Sequence, residues 1–170
     1  MRLSLTAYEK DDGAALNLGE TVKNLFEAAT VDEVEQRLAQ LRADSERLWG
    51  KMDAAQMLAH CSAWMEMASG MDNPPRVLIG YIFGRVAKST VLNEEPIRRN
   101  MPTAKSLIKN DKQEFAVERL RLQEEMNLFA AGGPEKCTKH PHSFFGPMTP
   151  LEWATLAYKH LDHHLRQFGV

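Results

Sequence analysis

Cysteine is scarce in this chain. Two cysteines in 170 residues, Cys61 and Cys137, exclude a disulfide framework and make a reducing, cytoplasmic setting the expectation. Long apolar runs are missing as well. The longest candidate, 77–86, is broken by Gly80, Gly84 and Arg85, well short of the ~18 residues of a membrane span. The amino end, MRLSLTAYEKDDGAALNL, has one early Arg, but two Asp interrupt it before any apolar h-region develops, so no signal peptide is expected. Charge of one sign is not in excess: 21 Lys+Arg face 23 Asp+Glu, a net of -2, which gives no general pull toward nucleic acid or acidic membranes. No segment alternates apolar and polar residues convincingly, no N-G or D-G signal separates two strand-like runs, and there is no internal repeat, which argues against a sheet or a solenoid.

What is present is ordinary globular material, 44% hydrophobic and 26% charged, in a length suited to one buried core. Residues 76–112 are locally basic, with eight basic and three acidic residues. No nucleic-acid-binding motif accompanies them, so solvated helix flanks and a loop are the simpler reading.

Helical punctuation runs through the chain from about residue 20; the residues before it, 1–19, read as an N-terminal arm. Thr30-Val31-Asp32-Glu33 has the form of a capping box, followed by Val34, Leu38 and Leu41 at helical spacing, which predicts a helix over 31–43. Asp53 with Gln56 opens a second, 53–69, ended by Gly70; its stripe is Ala54, Met57, Leu58, Cys61, Trp64, Met65 and Ala68. A short extra helix over 75–90 is weakened by Gly80 and Gly84. After an irregular connection containing Pro96 and Pro102, Asp111 and Glu114 open a helix over 111–131, lined by Phe115, Leu122, Met126 and Phe129 and ended by Gly132-Gly133-Pro134. Thr149-Pro150-Leu151-Glu152 starts the last, 150–168, with Gly169 behind it. The expected fold is all-α: a four-helix bundle over 20–170 with long crossover connections and one extra short helix.

The histidines carry the chemical signal. At about 100° per residue, Trp153, Ala157, Leu161, Leu165 and Phe168 share one arc of the last helix. His160 and His164 lie on its border, one turn apart, whereas His163 points away with the charged residues. Two imidazoles at i and i+4 can aim at one ion. His60 flanks the apolar stripe of the second helix in the same way. Three core-edge histidines on two helices make a candidate metal site, though a polar helix end and a hydrogen-bonded core histidine would also account for them.

Trp49-Gly50-Lys51-Met52 leading into Ala55-Gln56-Met57-Leu58-Ala59-His60-Cys61 resembles the second-helix signature of the DinB-like (DinB/YfiT) superfamily. His140-Pro141-His142-Ser143-Phe144-Phe145-Gly146-Pro147-Met148-Thr149, with Trp153 and Tyr158-Lys159-His160-Leu161-Asp162-His163-His164, resembles the C-terminal end of an uncharacterised branch. Pro96 and Arg99-Asn100-Met101-Pro102-Thr103-Ala104 resemble its second connection. The resemblance implies a four-helix bundle, often a homodimer, with a divalent metal (Zn, Ni or Fe) on His60, His160 and His164, the same three residues. It also implies that a low-molecular-weight thiol can serve as cosubstrate, since some relatives are thiol transferases or thiol-dependent isomerases.

Three protein nitrogens leave coordination positions open, the arrangement of a catalytic rather than a purely structural site. The expected function is a metal-dependent enzyme of thiol-transferase or hydrolase type acting on a small molecule. The alternative is a helical binding or stress-associated protein that the metal merely stabilises. Neither a nucleic acid nor a membrane is an expected partner. Glu66 and Asp162, the nearest carboxylates in sequence, read as solvated helix-face residues, and Cys61 as a buried, inert thiol. Trp49, Trp64 and Trp153 read as core aromatics and the His140/His142 pair as loop structure; the Phe144-Phe145 loop could cover the metal or build a dimer contact.

Overall fold

Five amphipathic or small-residue stretches become helices in the computed structural model, which describes residues 22–101, 107 and 111–170. They are α1 (Ala28–Gln40), α2 (Ala54–Ser69), α3 (Leu78–Val91), α4 (Phe115–Lys136) and α5 (Pro150–Gln167). Among the described residues there is no strand, only an isolated bridge between His142 and Gly146. The expected arm, 1–19, and the Pro102–Ala104 part of the second connection lie outside the described residues. No described helix is long and apolar enough to cross a membrane.

The all-α expectation holds, and two of the caps are those the sequence announces. Asp53 accepts from the Gln56 N–H while Gln56 reaches back to Asp53, and Thr149 and Glu152 do the same for α5. Each such box satisfies two backbone donors that a bare helix end leaves open. The expected box at Thr30 does not form. α1 begins earlier, with Glu27 at its N-cap, and the Thr30 hydroxyl donates to Glu27 Oε2 at 3.2 Å. Glu33, its intended partner, is drawn away by Lys23, 2.6 Å distant. α4 is interrupted at Gly133, whose φ of 59° and ψ of -162° suit glycine alone, and Pro134 starts a final turn beyond it.

Helices α1, α2, α4 and α5 form the bundle. α4 packs most extensively on α2, and α1 and α2 each also contact α5. Leu25, Val34, Leu38, Met57, Leu58, Met65, Leu122, Met126, Trp153, Leu161 and Leu165 fill the interior. Arg37 ties α1 to the end of α5, donating to Asp162 Oδ1 at 2.8 Å and to the Val170 carbonyl at 2.9 Å. Asp162 is therefore buried between Arg37 and Arg166, not solvated as its place on the polar arc suggested. Glu66, also read as solvated, pairs with Arg121 of α4. Trp64 and Trp153 are core residues, with ring centroids 5.7 Å apart. Trp49 is only half-buried, under the Arg99 guanidinium, and so is not a core aromatic.

α3 stands outside this bundle, and its two interior glycines have a positive use. A Cβ at Gly80 would fall 2.5 Å from the Phe144 carbonyl oxygen, and one at Gly84 would fall 2.1 Å from it. The helix therefore lies directly on the backbone of the 142–147 loop. The Phe144-Phe145 segment is thus the seat of α3. Its loop is braced by His142, whose Nδ1 accepts from the N–H groups of Phe144 and Phe145, both at 3.1 Å.

Three carboxylates, Glu66, Glu118 and Glu125, converge on Arg121 between α2 and α4. One guanidinium cannot neutralise three ionised neighbours. Burial first, with the two other carboxylates adding to it, pushes Glu125 up to about 7 from an ordinary 4.5 despite Arg121 beside it. The folded state thus holds a proton that the unfolded chain releases near pH 4.5. Its stabilisation is full below that pH and is lost as pH rises through 7. Glu125→Gln should flatten the fall in denaturant midpoint between pH 5 and 8 and raise the midpoint at pH 8. An unchanged profile would show that the proton resides elsewhere.

Candidate metal centre

The α2·α5 seam brings the three sequence-selected histidines together. Asp53 sets the register of α2 and so puts His60 beside, rather than within, the stripe of Met57, Cys61 and Trp64. The Thr149 box does the same for α5. His60 is 2% exposed and His164 8%, with His160 partly buried. The centroid separations are 4.9 Å for His60–His160, 4.7 Å for His60–His164 and 4.7 Å for His160–His164. One ring nitrogen from each lies within 4.8 Å of the others, and no other such group occurs among the described residues.

The far side of each ring shows which nitrogen points inward. His60 Nδ1 lies 2.9 Å from the Leu107 carbonyl. A carbonyl only accepts, so Nδ1 carries the proton and Nε2 presents a lone pair. His164 Nδ1 lies 2.9 Å from Gln167 Oε1, and the Gln167 amide is oriented by donating to the Trp49 carbonyl at 2.7 Å. His164 Nδ1 therefore donates, and its Nε2 carries a lone pair. His160 Nε2 faces His60 Nε2 at 3.0 Å, while its Nδ1 is buried with no partner. Without a cation, His160 must protonate Nε2 to meet His60, leaving an unanswered lone pair at Nδ1. Either tautomer leaves something buried unsatisfied. Three imidazole nitrogens within 4.8 Å of one another, two of them 3.0 Å apart, are a donor set that suits a divalent ion with nitrogen ligands, so the residues fit one.

Burial sets the charge state. His160 is held well below the usual histidine range by desolvation and then by its histidine neighbours, and His164 is lowered to about 3 by the same two effects. Cys61 lies at the centre of the core, where burial pushes its thiol far up; it is the inert thiol its position predicted. Trp64 stacks on His160, with centroids 5.3 Å apart and rings inclined by 26°.

The remaining histidines have structural posts. His140 is exposed and turns onto its own neighbour, Pro141. His142 is buried against Trp153 and lowered to about 4 by desolvation. His163, read from helical phase as pointing into solvent, is half-buried. Its Nδ1 lies 3.2 Å from the Ile97 carbonyl and its ring lies against Trp49. Lys159, one turn earlier, donates to the carbonyls of Asn93 and Glu95. Sequence reasoning overlooked Lys159 and Gln167. A lysine four residues before His163, and an amide three residues after His164, were the signals available.

Together these features define an all-α bundle protein with a largely buried three-imidazole cluster on one helix seam. A family model described as "Protein of unknown function (DUF1569)" matches residues 21–169, and the chain belongs to that family. No curated protein and no solved structure matches it.

His163→Ala removes one carbonyl tether of the second connection while leaving the three clustered rings in place. Amide exchange around residues 97–101 should quicken by roughly fivefold to tenfold, the worth of one hydrogen bond of about 1 kcal/mol. Unaltered exchange there would show that His163 holds nothing.

Proposed function

We propose that this protein is a divalent-metal-dependent enzyme of the DinB-like superfamily, acting on a small molecule as a thiol transferase or hydrolase. The observation that carries the reading is the convergence of His60, His160 and His164, with His60 and His164 oriented from behind by the Leu107 carbonyl and Gln167. Such outer partners fix ring tautomer and aim, and are a regular companion of ligating histidines. The donor set suits Zn, Ni or Fe. When bound, such an ion supplies Lewis acidity, polarising a carbonyl or making a water or thiol more acidic. The chain itself supplies uncharged ligands, a nearly closed setting and the Trp64 face against His160. A water-poor setting strengthens every electrostatic interaction within it. Three protein ligands leave coordination positions open on such an ion, which a low-molecular-weight thiol can fill.

A second reading, a metal-stabilised bundle without turnover, draws support from the depth of the site, since His60 and His164 are both almost closed to solvent. Turnover separates the two. Metal-restored consumption of a thiol with an electrophile, or of an ester, supports the enzyme. A metal-dependent rise in thermal midpoint with no reaction supports the second.

Titration of chelator-stripped protein with Zn²⁺ or Ni²⁺ should give one ion per chain. Alanine at His60, His160 or His164 should weaken binding by well over tenfold, and Gln167→Leu by tenfold to a hundredfold. Binding unchanged in all three histidine variants would sink the metal reading.

A further inference from the structure

Helix α3 is built inside out. Its face toward the 142–147 loop carries Gly80 and Gly84, both buried, whereas Leu78, Ile79, Tyr81, Ile82, Phe83 and Val86 are between 56% and 84% exposed. An isolated globular chain turns the large side chains of a helix inward and the small or polar ones outward. At about 100° per residue, Ile82 is the centre of the outward arc, with Leu78, Ile79 and Val86 within 60° of it. Arg85 stands at the rim, and α3 contains no acidic residue.

We infer that this face of α3 is the contact between two copies of the chain, the helices packing antiparallel with the two-fold axis beside Ile82. Three observations favour a second copy. With about 150–250 Å² for each aromatic side chain, less for each aliphatic one, and their fractional exposures, the six residues offer on the order of 700 Å², close to the roughly 800 Å² per partner of a standard interface. Two of the three basic groups beside this face are occupied within the chain, and the third, Arg85, is a single exposed cation, short of the basic cluster that holds a helix on an anionic lipid surface. Arg76 donates to the Gly80 carbonyl and covers the Tyr81 ring, and Lys88 pairs with Glu152 and donates to the Pro147 carbonyl. The glycine seat also fixes the helix before it meets a partner, which lowers the ordering cost of association. Antiparallel packing opposes the two macrodipoles and keeps the exposed Arg85 away from the level of its own counterpart. The contact is isologous and closes on itself. It is independent of the histidine cluster.

Sedimentation of the full chain should give twice the chain mass at micromolar concentration. Ile82→Asp should give the monomer, with at least a hundredfold weaker association and an unchanged far-ultraviolet dichroism spectrum. Under oxidising conditions Ile82→Cys should form an inter-chain disulfide. Leu78→Cys and Val86→Cys should cross-link to each other when mixed but poorly with themselves. A monomer at every concentration, or a dimer indifferent to Ile82→Asp, would overturn the inference. So would phosphatidylserine vesicles capturing a chain that is otherwise monomeric, with Ile82→Asp abolishing capture. Self-linking of Leu78→Cys and Val86→Cys would overturn the antiparallel arrangement.

Discussion

A buried imidazole has two nitrogens to satisfy, and three packed side by side cannot satisfy all six among themselves. Much of the arrangement around the α2·α5 seam answers that constraint. The Leu107 carbonyl is brought over His60, and the end of α5 is turned so that Gln167 stands between His164 and the Trp49 carbonyl. Of the inward nitrogens, those of His60 and His164 carry lone pairs, and His160 can turn a proton toward His60 only by leaving a lone pair unanswered at its own buried Nδ1. Charge is no remedy, because burial and mutual proximity keep His160 and His164 from protonating. Three neutral imidazoles so placed could hold a divalent ion.

The same seam holds the described part of the connection between α3 and α4 close to the bundle. α5 presents Lys159 and His163 one turn apart along one side, and these hold the carbonyls of Asn93, Glu95 and Ile97. His60 holds that of Leu107 from α2. Lys159 is buried and half-desolvated, which lowers it from the ordinary lysine range. Two carbonyl partners offset that cost. The polar residues of α5 that look like a solvated stripe on a helical wheel are thus the inner surface of a second layer.

Periodicity and caps made the bundle legible. Asp53–Gln56 and Thr149–Glu152 are local signals and act locally, and the stripes of α2 and α5 put the three histidines on the correct faces. The misreadings share a cause. Thr30–Glu33 has the form of a capping box, but Glu33 has a closer claim from Lys23, ten positions away. Asp162 and His163 sit on a polar arc, yet their partners, Arg37 and Ile97, are distant in sequence. Gly80 and Gly84 looked like defects because the backbone they accommodate, at Phe144, belongs to another loop. Spacing along one helix shows which face a residue takes; what waits on that face depends on chain that arrives later.

The crossover tethers have a consequence for how this protein can diversify. Lys159, His163 and His60 all grip main-chain carbonyls, a group that every residue type carries. Side chains along that segment can therefore be exchanged without loosening its hold on the bundle, provided the backbone path is kept. The burden of fixed identity falls on α2 and α5, and the crossover above them becomes the variable surface. A lineage with this division of labour can vary the connection while the three-histidine seam itself stays the same.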